Sequence, residues 1–457
     1  MISAQQVVDL ALAAAATSAR CDETIVIVSD RAEASLRWAG NSMTTNGVST
    51  SRTTAVISIV RRGDTAHIGA RRSSIVDQDA VAALVAASED AAHAAPDASD
   101  NAPLLTGSDE PADWHDPVPG TGVGAFAEVA RALSAGFGGS DRLYGYARHV
   151  VETTFLATST GVRRRFTQPT GSVEINAKRG TASAWAGVST PWFIDVPIDA
   201  LLEELSVRLG WARRTVDLPA GRYETLMPPS TVADMMIYLG WSMDGRGAQE
   251  GRTALSAPGG GTRVGEKLTD LALTMYSDPS SHGLECAPFV HTAAGSERLS
   301  VFDNGMDIDR VDWVRDGTIS SLVYPRATAA EFGVTPAAPA DNLLMTGGTA
   351  SLADMVAATE RGLLLTTLWY IRTVDPTTLL LTGLTRDGVY LIEGGEVTAA
   401  VNNFRFNESP LDLLRRATEA GVAETTLPRE WGDWATRAVM PTLRIPDFHM
   451  SSVSQAQ

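Results

Sequence analysis

The sequence predicts an α+β protein of two domains, built from mixed, largely antiparallel sheets with flanking helices. Three observations predict it. The chain has 457 residues, 44% of them hydrophobic and 20% charged, a globular composition too long for one ordinary core. The period of its apolar residues switches repeatedly between two and 3.6. Those switches follow no regular strand–helix–strand alternation, which argues against a doubly wound parallel sheet. No internal repeat marks a solenoid or propeller.

Residues 3–18 place Val7, Leu10, Ala11 and Ala14 on one helical face behind Ser3 as N-cap. Four runs of period two follow: ETIVIVSD, EASLRWAG, TTAVISIVRRG and TAHIGARRS. The last three are spaced as a meander. Residues 77–95 return to helix with Asp77 or Asp79 as cap. Residues 96–122, rich in Pro, Gly, Asp and Ser, read as a solvated loop. A helix over 123–135, strands around 143–158 and 161–187, and a helix over 198–211 complete an N-terminal α+β domain, 1–215. The C-terminal β-rich domain, 216–457, opens with GRYETLMPPS, a strand ending in two prolines, and a helix over 231–243. A loop over 244–267 follows, then a β-rich stretch from 270 to 405 holding a helix at 350–361. A helix at 409–420 and a strand near 441–452 close the chain.

The formal net charge is −17. Nucleic-acid binding needs a basic surface to displace counterions from phosphates, so the balance argues against a nucleic-acid partner. Cys21 and Cys286 are the only cysteines, too few for a disulfide framework and without a CxxC spacing. The N-terminal apolar run lacks a basic n-region, and no window is long enough to span a membrane. The expectation is a cytoplasmic protein without a membrane partner.

The stretch TVADMMIYLGWSMDGRGAQEGRTAL, 231–255, is a helix apolar almost all round that breaks into a Gly-punctuated loop bearing Asp244, Arg246, Glu250 and Arg252. Thr231 and Asp234 are spaced for a capping arrangement, with the acid near the positive end of the helix dipole. A zinc-peptidase helix needs two histidines on one metal and a glutamate to activate water, and this helix has neither. GGGTRVGEK, 259–267, misses the phosphate-loop pattern because Glu266 stands before Lys267 and Leu268 after it. HGLECAPFVH, 282–291, gathers His282, Glu285, Cys286 and His291, of which His282, Cys286 and His291 form an alternative zinc set. Pro288 and the mixed spacing give them no fixed face. FDNGMDIDRVDW, 302–313, reads as a turn at Asp303-Asn304-Gly305 before a solvated strand, since it lacks the calcium-loop pattern. No G-x-S-x-G supports a serine triad.

Several segments of the second half, taken in order, carry a family resemblance. They are LPAGRYETLMPPSTVADMM, GAQEGRTALSAPGGGTRVGEKLT, VFDNGMDIDRVDWVRDGTISSLVYPRATAAEFG, GGTASLADMVAATERGLLL, VNNFRFNESPLDLLRRA and PTLRIPDFHMSS. The set resembles the TldD/PmbA family over most of 216–457, while the first half agrees in broad layout. The resemblance implies that two related chains pair. The TldD-like chain is the metallopeptidase, with an H-E-x-x-x-H helix and a cysteine ligand near its C-terminus; the PmbA-like chain, also called TldE, lacks them. Thr231 to Trp241 stand at the position of that helix without His or Glu, and the last cysteine is Cys286.

The resemblance therefore implies a PmbA/TldE-like subunit of a heterodimeric zinc metallopeptidase that cleaves unfolded or precursor peptides. This chain would hold no catalytic residue, metal or cofactor, and the TldD-like partner would hold the zinc. Asp234, Arg246, Glu250 and Arg252 are candidates for the substrate cavity, with mutual pairing at the surface as the alternative for the last three. An extended peptide can add a strand at an open edge, for which Tyr223–Leu226 and the strands after 270 are candidates. Residues 369–383 depart from the family's more Gly-rich, polar segment. Two rival readings are a self-sufficient hydrolase using His282, Cys286 and His291, and a regulatory binding protein of gyrase-modulator type.

Overall fold

The structure, a computed structural model, describes residues 2–74 and 77–454. Among the described residues it holds two sheets and nine α-helices, an α+β architecture. The first sheet has the order β3-β2-β1-β4-β5-β6. Its strands are β1 (Glu23–Ala39), β2 (Met43–Arg62), β3 (Thr65–Ser73), β4 (Arg142–Thr158), β5 (Arg163–Arg179) and β6 (Ala182–Ser189). All neighbours are antiparallel. Helices α1 (Ala4–Ser18), α2 (Gln78–Ala94), α3 (Ala127–Gly136) and α4 (Ile198–Trp211) belong to this half. Ser3 and Gln6 close a capping box on α1, and Asp77 caps α2 by accepting from Ala80 N–H at 2.9 Å.

ETIVIVSD and EASLRWAG, read as separate runs, form the single strand β1. The pattern changes along it because its cover changes. Val26 and Val28 meet α1 and α2, while Ile25 and Ile27 meet a second apolar cluster on the other face. With both faces covered, the run is continuously apolar. Further along, Ala34, Leu36 and Trp38 pack with α3 and α4, and alternation takes over. Helices thus cover one face of the sheet at both ends. The loop 96–122 is not uniformly solvated: Ala102, Leu104 and Trp114 are buried. Trp114 meets Phe155 edge-on at 5.3 Å, beneath the Arg163 guanidinium.

The second half builds the other sheet from β7 (Thr215–Val216), β8 (Gly221–Met227), β9 (Met275–Ser277), β10 (Val311–Arg315), β11 (Thr318–Ile319), β12 (Leu343–Met345) and β13 (Arg361–Leu365). It continues through β14 (Leu368–Asp375), β15 (Leu380–Thr385), β16 (Val389–Glu393), β17 (Glu396–Val401), β18 (Phe404–Glu408), β19 (Glu419–Thr426) and β20 (Ala438–Val453). Three pairings are parallel, β12 with β20, β8 with β13 and β7 with β17. β8 lies between β20 and β13, so Thr225 and Leu226 have strand neighbours on both sides and no open edge, while Tyr223 pairs with β20 alone. Helices α5 (Pro229–Trp241), α6 (Gly245–Gln249), α7 (Arg326–Phe332), α8 (Leu352–Ala357) and α9 (Pro410–Arg416) complete it.

Two helices are shorter than their periodicity suggests. α8 stops at Ala357 because Arg361 enters β13, and α9 ends at Ala417, whose ψ of 129° is extended. Glu419–Thr426 then pairs with β20; the tertiary partner overrides an Ala/Glu helical preference. Helix α5 is buried at every residue from Thr231 to Leu239. Its N-cap is Pro228, with Pro229 in the first turn and no side-chain cap. Thr231 Oγ1 instead donates to Pro228 O and Leu365 O, at 3.0 and 3.2 Å, and Asp234 lies beyond the first turn. The capping arrangement read from Thr231 and Asp234 is therefore corrected.

The uncovered face of the first sheet receives the second half. Phe289, Val301 and Phe302 pack among Ile25, Ile27, Ile57 and Leu156. Asp303, within the turn expected at 303–305, is buried and pairs with Arg326 at 2.8 Å, while Arg326 Nη2 reaches Pro103 O at 2.9 Å. Gly305 has φ +87°, and a Cβ there would meet the Val162 side chain at 2.7 Å, so this contact admits only glycine. Phe302→Ala is expected to lower unfolding free energy by about 3–5 kcal/mol in urea titrations. A loss below about 1 kcal/mol would show that the contact does not hold the halves together.

Candidate functional site

Past the apolar contact, the same sheet face turns polar. Arg31 on β1, Arg148 and Glu152 on β4, and Gln168 and Thr170 on β5 line one wall of a cleft of about 720 Å³. The facing wall is the C-terminal end of α5, at Ile237, Gly240 and Trp241, with segments around 287–299, 339–343 and 433–438. The volume is in the range of small-molecule and peptide pockets.

Helix α5 and the loop after β19 hold each other. Asp234 Oδ1 accepts Glu430 N–H at 3.1 Å, and Tyr238 Oη donates to Ile371 O at 2.7 Å. The Glu430 carboxylate accepts the N–H groups of Tyr370 and Ile371, at 3.0 and 3.2 Å, and pairs with Arg372. Tyr370 has φ +52°, a strained conformation for a bulky residue, which turns both N–H groups onto one carboxylate. Trp431 stacks edge-on with Trp241 and Tyr238, centroids 4.7 and 5.3 Å apart. Burial pushes the Tyr238 hydroxyl up to about 12. These contacts fix the loop that brings Asp433, Trp434 and Arg437 to the cleft.

Arg437 forms the floor and is 3% exposed. Its Nε donates to Glu285 O at 3.0 Å and its Nη2 to Thr170 Oγ1 at 3.0 Å and to Pro169 O. Asp341 lies 3.6 Å from Nη1 and accepts Gln168 Nε2 at 2.7 Å. The wall charges pair similarly: Arg31 with Glu33 and Glu152, at 2.8 and 3.3 Å, and Arg148 with Glu33 and Asp433, at 2.9 and 4.0 Å.

The residues singled out from sequence are spread over three places. Asp234 is completely buried under α5, and its Oδ2 has no hydrogen-bond partner. Loss of hydration raises its pKa well above the carboxylate range, with nearby Glu430 adding to the rise. Arg246, Glu250 and Arg252 lie outside the cleft lining in one surface ion-pair network. Arg246 pairs with Glu331 and, at 3.4 Å, with Glu250; Arg252 pairs with Glu250 at 2.7 Å and with Glu297 at 3.6 Å. His282 is fully solvent-exposed beside Glu285, Cys286 is buried with its thiol pushed up to about 12 by burial, and His291 lines the cleft. A thiol so raised is a poor metal ligand at neutral pH. Among the described residues, no group of three or more His, Cys, Asp or Glu side chains is placed to hold a metal ion.

The residues on α5 do not fit a zinc ion. Met235, Met236, Tyr238, Leu239 and Trp241 fill the stretch with apolar and aromatic surface, and its single carboxylate, Asp234, faces the backbone of Glu430. Sequence reading missed Arg437, Trp434 and the β4–β5 wall. The close spacing of Trp431 and Trp434 to Arg437 in a Gly/Asp loop is the local signal that pointed there.

Asp234 carries a testable consequence. An acid with a higher pKa folded than unfolded binds more protons in the folded chain between the two values, so stability falls as pH rises through that window. Stability from Asp234 is complete below about pH 4 and is lost toward its raised folded value. Asp234→Asn is expected to flatten the pH dependence of the urea midpoint above pH 4 and to be the more stable form at pH 8. A parallel pH profile in both proteins would refute the buried, raised carboxyl.

Among curated proteins, none matches the chain. Solved structures do match in fold. TldE from Thermococcus kodakarensis superposes with a TM-score of 0.76 at 14% identity, covering 94% of this chain and 97% of that one. A protein of Thermotoga maritima described as a proposed modulator of a DNA gyrase gives 0.75 at 14% identity, covering 98% and 100%. A protein of Bacteroides thetaiotaomicron described in similar terms gives 0.76 at 14% identity, covering 99% and 100%. The family model of the PmbA/TldA metallopeptidase C-terminal domain matches residues 220–452, just over half of the chain. With α5, β8 and the α5 side of the cleft inside that match, the chain belongs to the PmbA/TldD metallopeptidase family.

Proposed function

We propose that this chain is the PmbA/TldE-like, zinc-free subunit of a heterodimeric metallopeptidase that cleaves unfolded or precursor peptides. A TldD-like chain supplies the H-E-x-x-x-H helix and the zinc. The observation that carries the reading is α5. It stands inside the matched domain, at the wall of an open cleft, with Met235, Met236, Tyr238 and Leu239 packed where ligands are needed. The helix keeps the architecture of a catalytic wall and has lost its donors. The contribution left to such a chain is to wall the shared chamber and hold substrate in extended form.

Within this reading Arg246, Glu250 and Arg252 form a surface ion-pair network outside this cleft, the alternative weighed for them from the sequence. Asp234 acts as a positioning residue for the 430 loop. The compartment is the cytoplasm, where unpaired Cys21 and Cys286 persist as thiols. No helix of the described residues is long and apolar enough to cross a membrane.

The test is gentle purification of the tagged chain from its native cells, with mass spectrometry and metal analysis of what accompanies it. The expected result is a related chain bearing H-E-x-x-x-H in equal amount, with zinc that follows that chain when the two are separated. Recovery alone, with only its own copies, or with a topoisomerase and no peptidase partner would overturn the proposal. Zinc retained by the separated chain would favour the self-sufficient hydrolase using His282, Cys286 and His291.

A further inference from the structure

One cation in the cleft has no carboxylate within ion-pair distance. Arg31, Arg148 and Arg437 each have a carboxylate within 4.0 Å. Arg298 also lines the cleft. Among the described residues, its guanidinium has neither a hydrogen bond nor an ion pair. The acid next to it in sequence, Glu297, is turned away to Arg252 and Arg246, at 3.6 and 4.0 Å. Asp244, the acid that acts on Arg298 through space, spends its Oδ2 capping Gly247 N–H at 3.1 Å. The backbone at this point is fixed by Ser296, whose Oγ accepts the N–H groups of Arg298 and Leu299, at 3.2 and 3.1 Å. Burial lowers the Arg298 pKa to about 10, still charged at neutral pH. A half-buried guanidinium without a close counter-ion gives up hydration and gains no ion pair in return, and in a chain of net charge −17 carboxylates to neutralise it are plentiful elsewhere on the surface.

The rest of the cleft is largely apolar or already paired. Trp241, Trp434, Leu299 and Phe166 line it, and Trp434 is 77% exposed, a large apolar surface left to water. A ligand for this cleft therefore joins one negative group to apolar side chains. One free guanidinium suits a single carboxylate, which it grips through two parallel hydrogen bonds. A phosphate or polyanion would need several free cations, and here the others are neutralised.

We propose that the cleft of this chain binds the C-terminal end of an extended peptide, its terminal carboxylate on Arg298 and its apolar side chains against Trp241, Leu299 and Trp434. The site is the chain's own and lies at the end of the helix that has lost its metal ligands. The inference rests on the reading of the chain as a peptide-handling subunit and adds to it a polarity and an end-group preference. The partner's active site would then receive segments upstream of a held C-terminus.

The test uses the purified full chain and acetylated tetrapeptides ending in Phe or Leu, each as free acid and as C-terminal amide. Titration is followed by tryptophan fluorescence and calorimetry. The expected result is that the acids bind about 10- to 100-fold more tightly than the amides, the span of a charge-assisted hydrogen-bonded pair. Arg298→Met is expected to bring acid affinity down to that of the amide while leaving the amide unchanged; its thermal midpoint should be no lower than the parent's, since the Arg298 side chain has no bonds to lose. Trp434→Ala, at an exposed position, is expected to weaken acid and amide alike. Equal affinity for acid and amide, absence of millimolar or tighter binding by any of the peptides, or an acid preference that survives Arg298→Met would overturn the proposal. So would binding of an amide with an internal glutamate as tightly as the free acid. Because the titration needs no partner chain, its failure is separate from failure of the heterodimer, which the purification reads.

Discussion

A buried guanidinium needs acceptors and a counter-charge, and Arg437 draws three hydrogen bonds and one ion pair from both sides of the domain boundary. Pro169 and Thr170 belong to β5 of the first sheet; Glu285 and Asp341 belong to the second half. No rearrangement that separates the domains can satisfy that set at once, and an unsatisfied buried charge costs several kcal/mol. The arginine therefore specifies a relative orientation as well as adding stability. Phe289 and Phe302 supply the non-directional part of the contact, among Ile25, Ile27 and Leu156. The apolar contact closes one end of the sheet face, and Arg437 sets how far the other end stays open. The cleft is what remains between them.

Helix α5 is held to a stricter standard than its apolar sequence demands. A helix buried all round needs only shape complementarity, yet this one carries Asp234 with one oxygen unpartnered. The carboxyl is tolerated because its other oxygen anchors Glu430 N–H, and Glu430 in turn collects Tyr370, Ile371 and Arg372. A chain of contacts runs from the interior of α5 to the strained backbone at Tyr370 and out to Trp431 against Trp241. Its product is a fixed position for the loop bearing Trp434 and Arg437. The polar cost inside the helix is offset by order at the cleft rim.

Much of the fold was legible because it rests on local chemistry. Ser3 with Gln6 and Asp77 with Ala80 N–H are signals a few residues apart. The α+β class follows from the changes of period. What failed to show in the sequence depends on partners far along the chain. β1 looked like two runs because the face of the sheet is covered by residues some 260 positions later, around Phe289 and Phe302. Residues 417–420 read as the end of a helix, but β20 draws the chain from Glu419 onward into a strand. Arg246, Glu250 and Arg252 were conspicuous as charges in a Gly-rich loop, and charges conspicuous in sequence are commonly paired at the surface, as these are. Arg298 carries no local pattern at all; only the pairing of its neighbours distinguishes it.

The contrast between those two arginines is the strongest argument that the cleft is still in use. Both lie in one concavity of an acidic chain. Arg437 is held by two backbone carbonyls and the Thr170 hydroxyl and paired with Asp341. Arg298 sits in the same concavity with its neighbouring acid, Glu297, committed to two other arginines. For packing alone, pairing Arg298 or a neutral side chain at its place would serve the fold better. A helix can lose its ligands by drift, because Met and Tyr fill the space well. A half-buried cation without an ion pair has no such packing role, and its place in the cleft lining points to a ligand that completes it.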